Sequence, residues 1–202
     1  MCYEADKRQW GLSNLHVDEV NEIVDICTRN GWEKPSVYQG GYNPIMRSME
    51  KNLLPSLRKH GMTFYAYSPV AGGYFTKPVE QLRAPPADSR MEKMKIFHSM
   101  YVNDVSLQLR EKLDKVCEAE GVSVMDATFR WMMHHSALGE EDGIVLGGGS
   151  TAQFEENLKA CEQGPLSKAL IDAFEDLWRE YVAAGKALTY CLPRNDSERL
   201  HS

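Results

Sequence analysis

Three things are missing from this 202-residue sequence, and each absence removes a class of function. Paired cysteines are the first. Cys2, Cys27, Cys117, Cys161 and Cys191 are scattered and no CxxC occurs, so zinc-ribbon and thioredoxin-type sites are excluded. An odd, dispersed set suits a reducing compartment, where thiols act as small hydrophobes. A basic surplus is the second. Lys and Arg number 23 against 29 Asp and Glu, a formal net charge of -6, so the chain has no electrostatic reason to seek nucleic acid or an anionic lipid surface. The third is a long apolar run. The longest uncharged stretch, 61–76, is interrupted by Pro69, Gly72 and Gly73 and is too short to span a bilayer. The N-terminus is charged and unlike a secretory signal. The expectation is a cytoplasmic protein with no nucleic-acid and no membrane partner.

What is present is an ordinary globular composition, 43% apolar and 26% charged, organised as alternating short strands and amphipathic helices. Gly11-Leu-Ser-Asn14 closes a first extended segment. Residues 17–30 carry Val17, Val20, Ile23, Val24 and Cys27 at helical spacing, with acidic residues in the first turn and Gly31 as a stop. A second strand is expected at 36–39, a helix at 46–60 with Met46, Met49, Leu53, Leu54 and Leu57 on one face, and a third strand at 62–67. Strand-to-strand spacing of about 25 residues is that of successive βα units. A long Pro- and Gly-containing loop is expected over 68–96, a length usually tied to function. Helices then follow over 105–120 and from Ser123 to His135, the latter opened by a variant capping box at Ser123 and Asp126. A fourth strand is expected at 143–146. A Ser150-capped helix runs to Cys161 with Gln153 at the reciprocal cap position, and a last helix covers 167–184 with Leu170, Phe174, Leu177 and Tyr181 on one face. One domain over 1–192 and a polar tail over 193–202 account for the chain.

Four segments now fall into a recognisable order: Gly11-Leu-Ser-Asn14, Val37-Tyr-Gln-Gly-Gly-Tyr-Asn43, Phe64-Tyr-Ala-Tyr-Ser-Pro-Val-Ala-Gly-Gly73, and Leu146-Gly-Gly-Gly-Ser150 through Asn157. Together they resemble the last four βα units of an aldo-keto reductase, a (β/α)8-barrel family. The likeness is to the aflatoxin-aldehyde reductase and aryl-alcohol dehydrogenase branches, and Arg130-Trp-Met-Met-His-His-Ser136 resembles a segment of the former. The fold implied is the C-terminal half of a TIM barrel, four parallel strands with flanking helices. The activity implied is NADPH-dependent reduction of an aldehyde or ketone, a small-molecule carbonyl substrate. The cofactor implied is NADP, lying across the C-terminal strand ends where barrel active sites gather.

The resemblance assigns roles position by position. Ser13, Asn14 and Gln39 would hold the nicotinamide carboxamide, for which hydroxyl and amide side chains supply both donors and acceptors. By themselves Asn14 reads as a residue near a helix cap and Gln39 as a solvated strand end. Tyr67 matches the aromatic position that stacks on the nicotinamide ring; its plain reading is core packing. Ser68, Pro69, Val70, Ala71, Gly72 and Gly73 resemble the loop that wraps the pyrophosphate, with Lys77, and Arg83 or Arg90, as cations within reach. Gly148, Gly149 and Ser150 precede a helix, where free amides favour an anion, and with Gln153, Glu156 and Asn157 they match the adenosine end. Related sequences often carry Arg where Gln153 stands, and Gln lacks that charge. His134 and His135 are adjacent, point in different directions on a helix and read as structural. No metal site is expected.

The family's catalytic residues come from its first four βα units, so no residue of this sequence is assigned as proton donor. Four parallel strands cannot close an eight-stranded barrel. Open edges predict self-association. A symmetric dimer of half-barrels, a truncated gene reading and a decayed paralogue stay open as explanations.

Overall fold

The structure is a computed structural model describing residues 9–87, 89–93 and 95–190, with the side chains of residues 90 and 96–98 left aside. The polar tail at 193–202 and the side chain of Arg90 lie outside what is described.

Four strands, β1 (Gly11–Ser13), β2 (Val37–Gly41), β3 (Thr63–Tyr67) and β4 (Gly143–Ile144), form one sheet in the order β1-β2-β3-β4. Every pair is parallel. Among the described residues nine helices pack around it: α1 (Val17–Asn30), α2 (Leu53–Lys59), α3 (Val79–Arg83), α4 (Arg90–Lys93), α5 (Lys95–Tyr101), α6 (Asp104–Ala119), α7 (Val124–His134), α8 (Thr151–Cys161) and α9 (Lys168–Ala183). Sequential order and parallel pairing are those of consecutive βα units, consistent with part of a (β/α)8 barrel.

Alternation along the strands makes the two faces of the sheet unequal. Tyr38, Phe64 and Ala66 are fully buried beneath the helices, and the Tyr38 and Phe64 rings stack at 5.9 Å. The opposite face carries Gln39, Tyr65 and Tyr67, and there Tyr65 is 39% exposed. An all-parallel sheet normally has both faces covered; this one has cover on one. Under the helices an aromatic chain of Tyr42, Trp131, Phe174 and Phe75 joins β2's exit to α7 and α9. The predicted faces of the terminal helices hold. Leu170, Phe174, Leu177 and Tyr181 of α9 are all buried, and of the α6 stripe Leu109, Leu113, Val116 and Cys117 all but the half-buried Val116 are.

Several boundaries differ from expectation, each for a local reason. The expected helix over 46–60 is a 3-10 turn at Ser48–Glu50 followed by α2. Pro55 has no amide to give the Lys51 carbonyl, so a continuous helix is interrupted there. The five apolar residues expected on its face are nevertheless all buried, because the broken helix keeps the same side to the core. The 68–96 segment is not a bare loop. It contains a 3-10 turn at Ala71–Gly73 and three short helices, α3, α4 and the start of α5. Pro78 leads into α3, which buries Val79 and Leu82 one turn apart; four- and five-residue helices are too short to declare themselves by periodicity. Strand β4 is two residues long, yet the Val145 amide extends it by donating to the Ala66 carbonyl at 2.8 Å. The Ser123 box is half formed: Ser123 accepts from the Asp126 amide, but its hydroxyl donates to the Asp126 carboxylate.

The N-terminal end of the sheet is tied by Asp142. Its side chain has no exposure and accepts from the Phe64 amide (2.7 Å), the Gly139 amide (2.8 Å) and the two terminal guanidinium nitrogens of Arg58. At the same end, where α7 descends toward β4, Arg130 and His134 bond the carbonyls of Gln163, Gly164 and Pro165, and the Leu166 amide donates to His135 Nε2 at 2.9 Å. The histidine pair is structural, but the two rings do not diverge. His135 has left helical geometry (φ -130, ψ -3), so both reach one loop.

Candidate active site at the C-terminal strand ends

The other end of the sheet is built from residues in uncommon backbone conformations. Among the described residues the non-glycine positions with positive φ are Asn14 (56°), Ser68 (55°) and Ala71 (51°). Asn14 follows β1 and the other two follow β3. Left-handed non-glycine residues cost free energy and collect where function or surrounding contacts hold them.

Asn14 is not a helix cap. Helix α1 is entered through His16, whose amide donates to the Glu19 carboxylate at 2.8 Å. The Asn14 amide side chain instead spans two strands. Its Oδ1 accepts from the Tyr67 hydroxyl at 2.8 Å, and its Nδ2 donates to Ser13 Oγ at 3.0 Å. Asn14 and Ser13 are exposed and Tyr67 half-buried, so the chain of three polar side chains faces open space. It leaves one Nδ2 hydrogen and acceptor lone pairs over for a ligand. Burial raises the Tyr67 pKa, against the lowering effect of its contacts with Gly41 and Asn14. Gln39, in register with Ser13 and Tyr65, is exposed on the same face.

Gly41 lets the Tyr67 ring lie where it does. A Cβ on Gly41 would stand 2.8 Å from Met46 Sδ and 3.2 Å from the Tyr67 ring. The ring therefore rests on the bare backbone of β2's end, leaning toward β1.

Beyond Tyr67 the chain turns sharply. Ser68, Ala71, Gly72 (φ 64°) and Gly73 (φ 103°) all have positive φ. The Ala71 amide donates to Ser68 O, and those of Gly73 and Phe75 to Val70 O, while among the described residues the amides of Val70 and Gly72 meet no backbone carbonyl. Pro69 has no amide to offer. The turn is held from below by two side chains whose roles the sequence did not reveal. Asn43 is fully buried; its Nδ2 donates to Ser68 O at 3.0 Å and its Oδ1 accepts from the Ile45 amide at 3.1 Å. Tyr101, 2% exposed, has its hydroxyl near the side chains of Asn43 and Ser68, and burial pushes it up to about 12. Lys77 packs its stem beside Gly73 and lines a cavity of about 620 Å³ bounded by α3, α6 and the start of α7, which takes in none of Asn14, Gln39, Tyr67 or Ser150. Arg83 is paired with Glu111.

A second group follows β4. Ser150 caps α8 by accepting from the Gln153 amide at 3.3 Å. Gln153 Oε1 accepts from the Gly149 amide at 2.9 Å, one residue short of the reciprocal position expected. Gly148 is tightly placed, with its Cβ position 3.1 Å from the Phe154 amide nitrogen. Asn157 is buried and donates to the Gly147 carbonyl at 2.9 Å, so its side chain braces the glycine turn, while Glu156 is exposed. No hydrogen bond joins this group to the Tyr67 group among the described residues.

Parallel βα units with polar residues gathered at the strand C-termini are consistent with part of a (β/α) barrel, a fold whose sites lie at that end. Comparison with known sequences makes the class specific: the family model for the aldo/keto reductase family matches residues 6–179. An aldo-keto reductase of Pseudocercospora fijiensis is 33% identical over 177 residues, 85% of this chain and 60% of its own length. Human aldo-keto reductase family 7 member A3 is 38% identical over 180 residues, 83% of this chain and 54% of its own. Human aflatoxin B1 aldehyde reductase member 2 is 38% identical over 182 residues, 83% of this chain and 50% of its own. The chain belongs to the aldo/keto reductase family, with aflatoxin-aldehyde reductases among its relatives, and it spans about half the length of the curated relatives it matches. No helix among the described residues is long and apolar enough to cross a membrane.

Proposed function

We propose that this chain is the cofactor-binding, C-terminal half of a TIM-barrel aldo-keto reductase, acting in the reduction of an aldehyde or ketone by NADPH in the cytoplasm. The observation that carries the proposal is the Ser13–Asn14–Tyr67 chain across the ends of β1 and β3. Its donor set suits a dinucleotide. Ser13, Asn14 and Gln39 offer the mixed donors and acceptors an amide ligand requires. Tyr67, anchored through its hydroxyl and supported by Gly41, presents a fixed ring for the nicotinamide to lie against. The turn from Ser68 to Gly73 offers a diphosphate the amides of Val70 and Gly72, which meet no backbone carbonyl among the described residues, and Gly148, Gly149 and Ser150 at the start of α8 suit the adenosine end. Gln153 and Glu156 bring no positive charge there, so discrimination of NADP from NAD falls to other groups. The bound nicotinamide supplies the hydride; the residues named here bind and orient it.

A second reading, a nucleotide-binding module without turnover of its own, is favoured by the uncovered sheet face that leaves Tyr65 39% exposed and Val145 41% exposed. Completing a closed barrel would cover that face, and two copies meeting β1 to β4 supply eight strands. One experiment separates the readings: calorimetric titration of the chain with NADPH, followed by NADPH oxidation with an aromatic aldehyde. Binding with turnover supports the reductase, binding alone supports the module, and no binding by folded protein refutes both.

A further inference from the structure

The buried polar pair beneath the strand ends has no need to be polar for packing's sake. Asn43 is fully buried and Tyr101 is 2% exposed, in a region otherwise filled by Ala71, Tyr74 and Phe75. Buried amide and hydroxyl groups cost free energy unless satisfied. Asn43 is satisfied by Ser68 O, on the first left-handed residue of the turn, and by the Ile45 amide, and the Tyr101 hydroxyl lies beside the Asn43 and Ser68 side chains. Ser68 O is thereby bonded twice, by Asn43 Nδ2 and by the Ala71 amide, each at 3.0 Å. The Tyr101 ring also lies under Gly72, 3.5 Å from where a Cβ would stand. One side chain therefore supports both ends of the turn. Without such ties a serine and an alanine at positive φ would relax to ordinary backbone, since a left-handed conformation is disfavoured for non-glycine residues.

We propose that Asn43 and Tyr101 are positioning residues that hold the Ser68–Gly73 turn in its left-handed form and so set the affinity of the chain for the diphosphate portion of a dinucleotide; this rests on the dinucleotide reading above. Neither residue touches the ligand. They act through the Val70 and Gly72 amides, which meet no backbone carbonyl among the described residues in this turn.

The test uses the full chain and the Tyr101→Phe variant, which keeps the ring and removes the hydroxyl; Asn43→Ala is the larger lesion and risks the fold. Wild type and variant are titrated calorimetrically with NADP and with adenosine 2′-monophosphate, which has no diphosphate, and amide hydrogen exchange is followed over residues 70–73 without ligand. Loss of the Tyr101 hydroxyl at the hinge of the turn predicts NADP binding weaker by about twofold to tenfold. Binding of the monophosphate stays unchanged, and exchange at 70–73 is faster while that of β3 is not. Equal weakening of both ligands, or no weakening of either, overturns the positioning role and leaves the dinucleotide reading standing. A wild-type chain that is folded and binds neither ligand overturns both.

Discussion

At the N-terminal ends of the strands a carboxylate with no exposure, Asp142, gathers two backbone amides and a guanidinium. At the C-terminal ends an exposed amide, Asn14, gathers a tyrosine hydroxyl and a serine and keeps capacity to spare. One end spends its polar groups on closing the sheet; the other leaves them facing outward on strained backbone. That asymmetry matches the division of a (β/α) barrel into an end that supports stability and an end that carries its site. It predicts that substitutions at the two ends have separable consequences.

The largest effect is expected at the closed end. Asp142→Ala leaves the Phe64 and Gly139 amides without their acceptor and should lower unfolding free energy by about 3 kcal/mol, read by urea denaturation, while the protein that remains folded binds NADP as before. A matching loss of affinity would show that the ends are not independent. At the open end the order reverses. Gly41→Ala drives a methyl into the Tyr67 ring and Met46, and should weaken NADP binding about tenfold with a stability cost of about 1–3 kcal/mol from overpacking; calorimetry and denaturation on one sample distinguish the two. Tyr67→Phe removes only the bond to Asn14, and should weaken NADP binding roughly threefold with little change in stability. Unchanged affinity would mean that the Ser13–Asn14–Tyr67 chain does not organise the site.

The smallest effect belongs to the closed end and to pH. The His135 pKa is lowered, first by burial and then by the neighbouring charges of His134 and Arg130, and its Nε2 must be unprotonated to accept from Leu166. The unfolded chain therefore binds a proton more readily than the folded one. The contribution of this bond is complete above the unfolded value of about 6.5 and is lost as pH falls through the lower folded value. Thermal melts between pH 7 and pH 5 should show a decline that is shallower in His135→Gln. An identical slope in the two proteins would remove His135 from the account.

Much of this was readable in advance, and the failures are instructive. Helix α1 was legible to the residue because periodicity, acidic first turn and Gly31 agree. The spacing of βα units pointed to the first three strands, and the family resemblance implied four parallel strands in sequence order, which is the sheet observed. The candidate residues Ser13, Asn14 and Tyr67 were named from motif, and the structure brings these three together. Asn43 stood inside a quoted motif and still had no visible role. Its partners are Ser68, 25 positions on, and Tyr101, in a segment whose short helices leave no periodic trace. Asp142 and Arg58 were missed for the same reason: an exposed-looking acid becomes a fully buried anchor only when a helix 84 residues earlier comes beside it.

By itself the chain's sequence determined the alternation of strands and helices, the buried sides of those helices, and the presence of glycines where backbone must turn or be crossed closely. These depend on neighbours within a few turns, where 2.0- and 3.6-residue repeats are visible. Only the tertiary structure decided that Asn14 bonds Tyr67 instead of capping α1, that Asn43 and Tyr101 brace a left-handed turn, and that one sheet face stays open. Each is a contact between elements far apart in sequence, and a pattern that repeats locally carries no information about which distant surface it will meet.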